Sequence, residues 1–421
     1  MTDTATHRAI DAVWRIESAK VIAGLARMVG DIGQAEDLAQ DALVIALEKW
    51  PVTGVPDNPG AWLMATAKHR ALDLLRRQKL LERKHEQLGH ELDAKQEGAT
   101  NDLDAAIDDD IGDDLLRLVF TACHPVLSTD AQVALTLRLL GGLTTDEIAR
   151  AFLVPEPTIA QRIVRAKRTL ADAKVPFEVP RGAELATRLS SVLGVIYLIF
   201  NEGYSATAGD HWMRPALCED ALRLGRILAE LSPGEPEVHG LVALMEIQAS
   251  RARARVGPTG EPVLLLDQDR AKWDYVLIRR GLDALSRAEA LGGATGPYAM
   301  QAAIAACHAR AKSGDETDWE RIASLYDTLA RITPSPVVEL NRAVAVSFAR
   351  GPAAGLELVD ALTSEPSLRR YHLLPSVRGD LLAKLGRASE ARAELERAAS
   401  LTRNSRERDL LLARAAALAP S

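Results

Sequence analysis

The sequence predicts an all-α protein, and three observations carry that prediction. Ala, Leu, Arg and Glu dominate, while aromatic residues make up 4% of the 421 positions. No alternating β-branched run reads as a strand. Apolar residues recur instead at helical spacing along most of the chain. This length implies two or three domains.

Three cysteines (Cys123, Cys218, Cys307) lie far apart, without a CxxC. Neither a disulfide framework nor a zinc site is expected, and no metal or cofactor is called for. The N-terminus lacks a signal-peptide core. No apolar run approaches the ~20 residues of a membrane span. The longest, 192–200, suits a buried helix. A cytoplasmic location without a membrane partner is therefore expected.

The first helix runs over about 10–28 and ends near Gly30. Residues 31–41 lead into a second, ending at Trp50-Pro51. Ala35, Leu38, Ala42, Ile45 and Ala46 can face a core, which leaves Glu36, Asp37, Gln40, Asp41 and Glu48 outside. Such an acidic face is either solvated surface or a docking face for a basic partner. A third helix follows Pro59, with Leu63, Met64, Ala67, Ala71, Leu72, Leu74 and Leu75 on one side. Trp62, Thr66, His69, Asp73, Arg76 and Arg77 fall on the other. An aromatic heading a basic stripe suits stacking on unpaired bases with phosphate contact. The plainer alternative is that Trp62 closes the core.

The net charge of −7 is unevenly spread. Residues 86–114 hold one Lys against 11 acids and few large apolar residues. Such a stretch cannot bury enough surface to fold alone and is predicted to be a flexible linker. A weakly acidic chain therefore does not exclude nucleic-acid binding elsewhere.

Residues 143–170, LTTDEIARAFLVPEPTIAQRIVRAKRTL, read as two helices joined by a turn. Thr144 and Glu147 form a capping box, with Leu143 and Ile148 as its hydrophobic staple. Val154-Pro155-Glu156-Pro157 breaks the first helix at about Ala151. In the second, Ile159, Ile163, Ala166 and Leu170 form one apolar stripe. Thr158, Gln161, Arg165 and Arg168 face away, with Arg162 and Lys167 on the flanks. Such a helix suits a DNA major groove; an ordinary solvated basic helix has the same pattern.

These motifs together resemble a bacterial extracytoplasmic-function (ECF, group IV) sigma factor over residues 10–174. The carriers are 35–42 (AEDLAQDA), Ala61-Trp62-Leu63 with Arg70-Ala71-Leu72-Asp73 and Arg76-Arg77, and 143–170, in the family's order. The resemblance implies a region 2 bundle (1–85), the acidic linker (86–114) and a region 4 helix-turn-helix (115–174). It implies that Glu36, Asp37, Gln40 and Asp41 dock on the β′ clamp helices of core RNA polymerase, with the β flap as a further partner. Trp62, Thr66, Lys68, His69, Arg70, Arg76 and Arg77 would melt and bind the −10 promoter element. Thr158, Gln161, Arg162, Arg165, Lys167 and Arg168 would read the −35 element. Many relatives carry Asn at the position of His69 and a Gly-Thr-Val-Lys-Ser-Arg run at 157–162, which puts the promoter sequence in doubt.

The chain then continues for about 250 residues. Val175-Pro176-Phe177-Glu178-Val179-Pro180 is a stiff linker, followed by a helical segment (175–295). From about Pro297 the pattern repeats (296–421). Helices 337–350 and 352–363 pair, as do 371–385 and 388–401. Gly351 and Gly386, at the two turns, are 35 apart, and tetratricopeptide repeats have a period of ~34. Such arrays bind partners along a concave face. With 200–204 (FNEGY) and Gln268-Asp269-Arg270, the whole chain resembles the ECF42 group. That implies an extension that regulates the sigma module, through a protein partner or an intramolecular contact, in place of a separate anti-sigma factor.

Asn201, Glu202, Tyr204, Asp267, Asp269 and Arg270 read as a buried polar network at a domain junction, with Arg223 and Arg226 as further partners. Metal ligation or acid–base chemistry by Glu202, His211, Asp267 and Asp269 is the alternative. No enzyme activity is expected. The competing function is a freestanding helix-turn-helix regulator with a repeat-type sensor.

Overall fold

The structure is a computed structural model that describes residues 2–87 and 111–418, in two compact units, Met1–Val195 and Ile196–Ser421. It is almost wholly helical, as expected.

In the first unit, α1 (Thr2–Val29) stops at Gly30, whose φ of 71° favours glycine. Asp31 then caps α2 (Ile32–Thr53) by accepting from the Gln34 amide at 2.7 Å. α2 passes the expected end at Trp50-Pro51, and Gly54 closes it by donating to the Trp50 carbonyl. α3 (Pro59–Gln87) completes a bundle around Ile22, Leu25, Ala39, Trp50 and Leu63.

The acidic segment predicted at 86–114 lies mostly outside the described residues, and its two described ends are helical. Residues 86–87 finish α3, and 111–114 open α4 (Ile111–Ala122). Asp114 is buried there between Arg27, at 3.2 Å, and Arg117, at 2.6 Å. Two guanidiniums compensate a carboxylate that composition alone assigns to solvent.

α5 (Thr129–Leu139) precedes the helix pair α6 (Thr145–Phe152) and α7 (Glu156–Asp172). The expected capping box is present: Thr144 Oγ1 accepts from the Glu147 amide, and the Thr144 amide donates to Glu147 Oε2. Leu153, left-handed at φ 51°, makes the turn. Ile159, Ile163, Ala166 and Leu170 are all buried, so the predicted stripe is the packed face.

The division between the units falls inside α8 (Ala183–Tyr204). Its first half belongs to the first unit: Arg188 donates to the Phe120 carbonyl at 2.8 Å and Ser191 to the Cys123 carbonyl at 3.1 Å. The extension expected to start at 175 thus begins with a helix half built into the preceding unit. Among the described residues α8 is the one helix long and apolar enough to cross a membrane. Val192, Val195, Ile196, Ile199 and Phe200 are instead buried in protein.

In the second unit, α9 (Pro215–Leu231), α11 (Tyr275–Ala290) and α12 (Pro297–Arg310) surround α10 (Pro236–Ala249), which is buried on nearly every side. At Gly240 a Cβ would fall 2.7 Å from the Ala299 nitrogen, so α10 and α12 meet backbone to backbone. Successive helices α13 (Trp319–Ile332), α14 (Pro336–Arg350), α15 (Pro352–Ala361), α16 (Leu373–Lys384), α17 (Ala388–Leu401) and α18 (Ser405–Ala416) then stack as neighbours. Leu340, Leu356, Val359, Leu381 and Ala391 form one core across α14 to α17. The described residues also hold a short sheet: β1 (Ala208–Gly209) pairs in parallel with β2 (Arg403–Asn404), joining stretches almost 200 residues apart.

Candidate nucleic-acid interface

Three helices of the first unit carry the predicted contact residues. On α7, Thr158, Gln161, Arg165 and Arg168 are exposed along one side. The buried stripe on the opposite side fixes that orientation. Arg162 pairs with Asp130 at 3.1 Å, and Arg168 with Asp172 at 3.6 Å one turn on. Arg165 is exposed beside them, in no ion pair with a described carboxylate.

On α3, Leu63, Ala67 and Ala71 anchor the helix, and Trp62 is half-buried. Its ring meets Trp50 edge-on, centroids 5.3 Å apart. Trp50 thus holds Trp62 at the boundary between core and solvent. Thr66 donates to the Trp62 carbonyl and His69 Nδ1 meets the Ala65 carbonyl, so both are tied to their own helix. Arg76 and Arg77 are exposed, Arg76 beside Asp73 at 3.7 Å, and Lys68 is half-buried. Arg70 pairs with Asp41 of α2 at 2.7 Å, joining the predicted −10 and docking residues.

The acidic face of α2 differs from expectation. Glu36 is only 3% exposed. Its Oε1 accepts from Arg138 Nε at 2.6 Å and Gln40 Nε2 at 2.5 Å, and its Oε2 lies 2.5 Å from Lys167 Nζ. Helical periodicity marks the side of α2 that meets α1 and α3, but it is blind to a second packing surface. Asp37, with its side chain 78% exposed, and Asp41 remain outside. Lys167 is likewise withdrawn from the outward face of α7.

Comparison with known proteins adds the decisive observation. Residues 16–80 match sigma-70 region 2 and residues 117–170 match sigma-70 region 4. The chain thus carries matches to sigma-70 regions 2 and 4 in order, which support an ECF-like sigma factor. A probable ECF RNA polymerase sigma factor, SigI, of Mycobacterium tuberculosis is 28% identical over 185 residues, covering 43% of this chain and 61% of that protein. Residues 188–289 match a family of unknown function, DUF6596. An uncharacterized protein of Rhizobium meliloti, R00370, is 44% identical over 408 residues, 97% of this chain and 94% of that one. No solved structure matches.

The stretches that match regions 2 and 4 pack on each other within the first unit. Arg15 of α1 pairs with Glu147 of α6, and a Cβ on Gly142 would meet Ser18 Oγ at 3.1 Å and the Arg15 Cα at 3.3 Å. Glu36 sits at the centre of that contact, and Arg138 is the partner that sequence reading missed.

The six residues read as one junction network are separate clusters. Glu202 accepts from Arg214 at 2.5 Å and from the Thr207 hydroxyl at 2.9 Å, while Arg226 and Arg270 are engaged elsewhere. Asn201 lies against Tyr197. Tyr204 lies under the Arg255 guanidinium, 3.6 Å from the ring centroid, and its carbonyl accepts from Arg255 at 3.0 Å. Asp267 and Asp269 are exposed, and Asp269 accepts from the Ala271 amide. Arg270 donates to the His308 and Ala311 carbonyls, with Trp273 beneath it. Arg226 holds Glu246, at 2.8 Å, buried in α10. The one acid in the apolar run 241–247 could have flagged that pair. No group of three or more His, Cys, Asp or Glu side chains among the described residues is placed to hold a metal ion.

Proposed function

We propose that the protein is a promoter-specificity subunit of RNA polymerase whose second unit adjusts that activity. Asp37 and Asp41 are the carboxylates offered to the β′ clamp helices. Trp62, Lys68, His69, Arg76 and Arg77 meet the opened −10 strand. Thr158, Gln161, Arg165 and Arg168 enter the −35 major groove, with region 4 held near the β flap. The protein acts in the cytoplasm, binds rather than catalyses, and needs no cofactor. The ECF42 assignment, with the extension in place of a separate anti-sigma factor, belongs to the same proposal. The observation that carries the reading is a basic, exposed α7 face in a chain that also holds region 2.

The packing of region 2 on region 4 adds a step. Promoter elements 25 base pairs apart lie about 85 Å from one another along B-DNA. A compact unit of this size has a radius of gyration of about 16 Å. The packed unit is therefore too small to engage both elements of a straight duplex. The free protein rests closed, and engagement parts Glu36 from Lys167 and Arg138. Core polymerase reconstituted with the full chain and with Glu36→Gln tests the proposal. Specific transcripts are expected from both, with the variant assembling faster; failure to bind core defeats the reading.

A further inference from the structure

The second unit contains a cavity of about 600 Å³ that neither sigma region explains. Ligand pockets of drug-sized molecules fall in the same size range. Its walls come from the loop after α8, the starts of α9 and α11, and the segment leaving α10. Trp212, Met213, Leu222, Ala249, Val256 and Leu277 supply an apolar lining. The chain's far end closes it. β1 and β2 pair, and the buried Asn404 donates to the Ala206 and His211 carbonyls at 3.0 and 2.9 Å. That places Arg406 in the wall, where Nε reaches the Asp210 carbonyl.

The charges of the lining differ in how far they are already engaged. Asp274 accepts from the Val276 and Leu277 amides as the α11 cap. Asp210 and Glu219 are exposed to solvent. Glu261, whose carboxylate feels Arg406, accepts from the Thr259 amide and hydroxyl. Arg253 and Arg406 line the cavity with no carboxylate in ion-pair distance among the described residues. Behind Trp212, 5.5 Å from its ring, the Arg255 guanidinium is also without a carboxylate, and its Nε is buried and unpartnered. Arg253, like Asp210 and Glu219, is exposed. The anion preference therefore rests on guanidiniums out of ion-pair distance of any described carboxylate. Their N–H forks can bind the head of an anion while its hydrocarbon body fills the apolar room.

We infer that this cavity binds a small amphipathic organic carboxylate, its apolar body against Met213, Leu222 and Leu277 and its oxygens on Arg253 and Arg406. Binding is measured without transcription, so the inference stands or falls independently of the proposed sigma activity. The probe is 2-naphthoate, titrated calorimetrically into the full-length protein. Saturable uptake of one equivalent is expected, about tenfold weaker in the exposed variant Arg253→Gln. It should be lost in Ala249→Trp, which fills the cavity. Arg253→Gln keeps the test valid if Ala249→Trp fails to fold. No saturable binding, unchanged binding in Arg253→Gln, uptake that survives in a folded Ala249→Trp, or equal affinity for 2-naphthylmethylamine overturns the inference.

Discussion

Glu36 of α2 and Lys167 of α7 meet with carboxylate oxygen and ammonium nitrogen 2.5 Å apart, so one buried carboxylate joins the region 2 match to the last helix of the region 4 match. Arg138 completes the node from α5. Breaking a fully buried pair costs ~3–5 kcal/mol, and the two cations here retain about a fifth of their exposure, which lowers the cost to about 2 kcal/mol. Glu36→Gln should lose that much stability and let the regions part. Spin labels on cysteines introduced at Asp57 and Arg168 should report one narrow distance in the parent and a broad distribution in the variant. The native thiols will not interfere: all three are buried, and burial pushes Cys123 and Cys218 up to about 12. An unchanged distribution would contradict the clasp.

Arg165 has the exposure and position for direct readout. Arg165→Ala should weaken binding of a selected −35 duplex by about 1–3 kcal/mol and leave binding of a scrambled duplex nearly unchanged. Equal losses on both duplexes would reduce Arg165 to a phosphate contact.

His308 makes the second unit sensitive to acid. Burial, with the nearby charges of Arg251 and Arg270, lowers its pKa from 6.5 to about 4. The folded value lies below the unfolded one, so the unfolded chain binds the extra proton. Stability is complete above pH 6.5 and falls as pH drops from 6.5 toward 4, by ~1.4 kcal/mol per pH unit and on the order of 3 kcal/mol in all. Urea unfolding followed by Trp319 fluorescence, whose ring meets His308 at 5.1 Å, should show this slope. His308→Gln should flatten it; a variant with the parent's slope would place the titration elsewhere.

Asn404 holds the end of the chain in place. It is fully buried, donates to two loop carbonyls and accepts from the Glu407 amide to cap α18. Asn404→Ala strands both carbonyls and should cost about 2–3 kcal/mol. Amide exchange should speed up in residues 405–416 and 206–211 together. Faster exchange in one stretch alone would mean the two are not coupled.

Local pattern carried the helices well, because helix signals sit within a few residues of one another. The Thr144–Glu147 box and the Ile159–Leu170 stripe needed nothing beyond their own spacing. Pairings at long range were not legible. Glu36 looks solvated when only α1 and α3 are considered, and its partners lie 102 and 131 residues away at Arg138 and Lys167. Glu202 takes Arg214, which sits in a loop without periodicity, and Arg403–Asn404 finds its strand partner across the whole second unit. Exposure followed from periodicity only where a helix packs on one side, as α7 does and α2 does not.

Run-off transcription with purified core polymerase and the full-length protein tests the central claim most directly, on promoters drawn from a library randomised at −35 and −10. The sigma reading predicts discrete start sites at a fixed distance from the selected −10 element, and lower yield from Asp37→Ala without loss of fold. Absence of core binding, or of any specific start, would contradict it and leave a freestanding DNA-binding regulator.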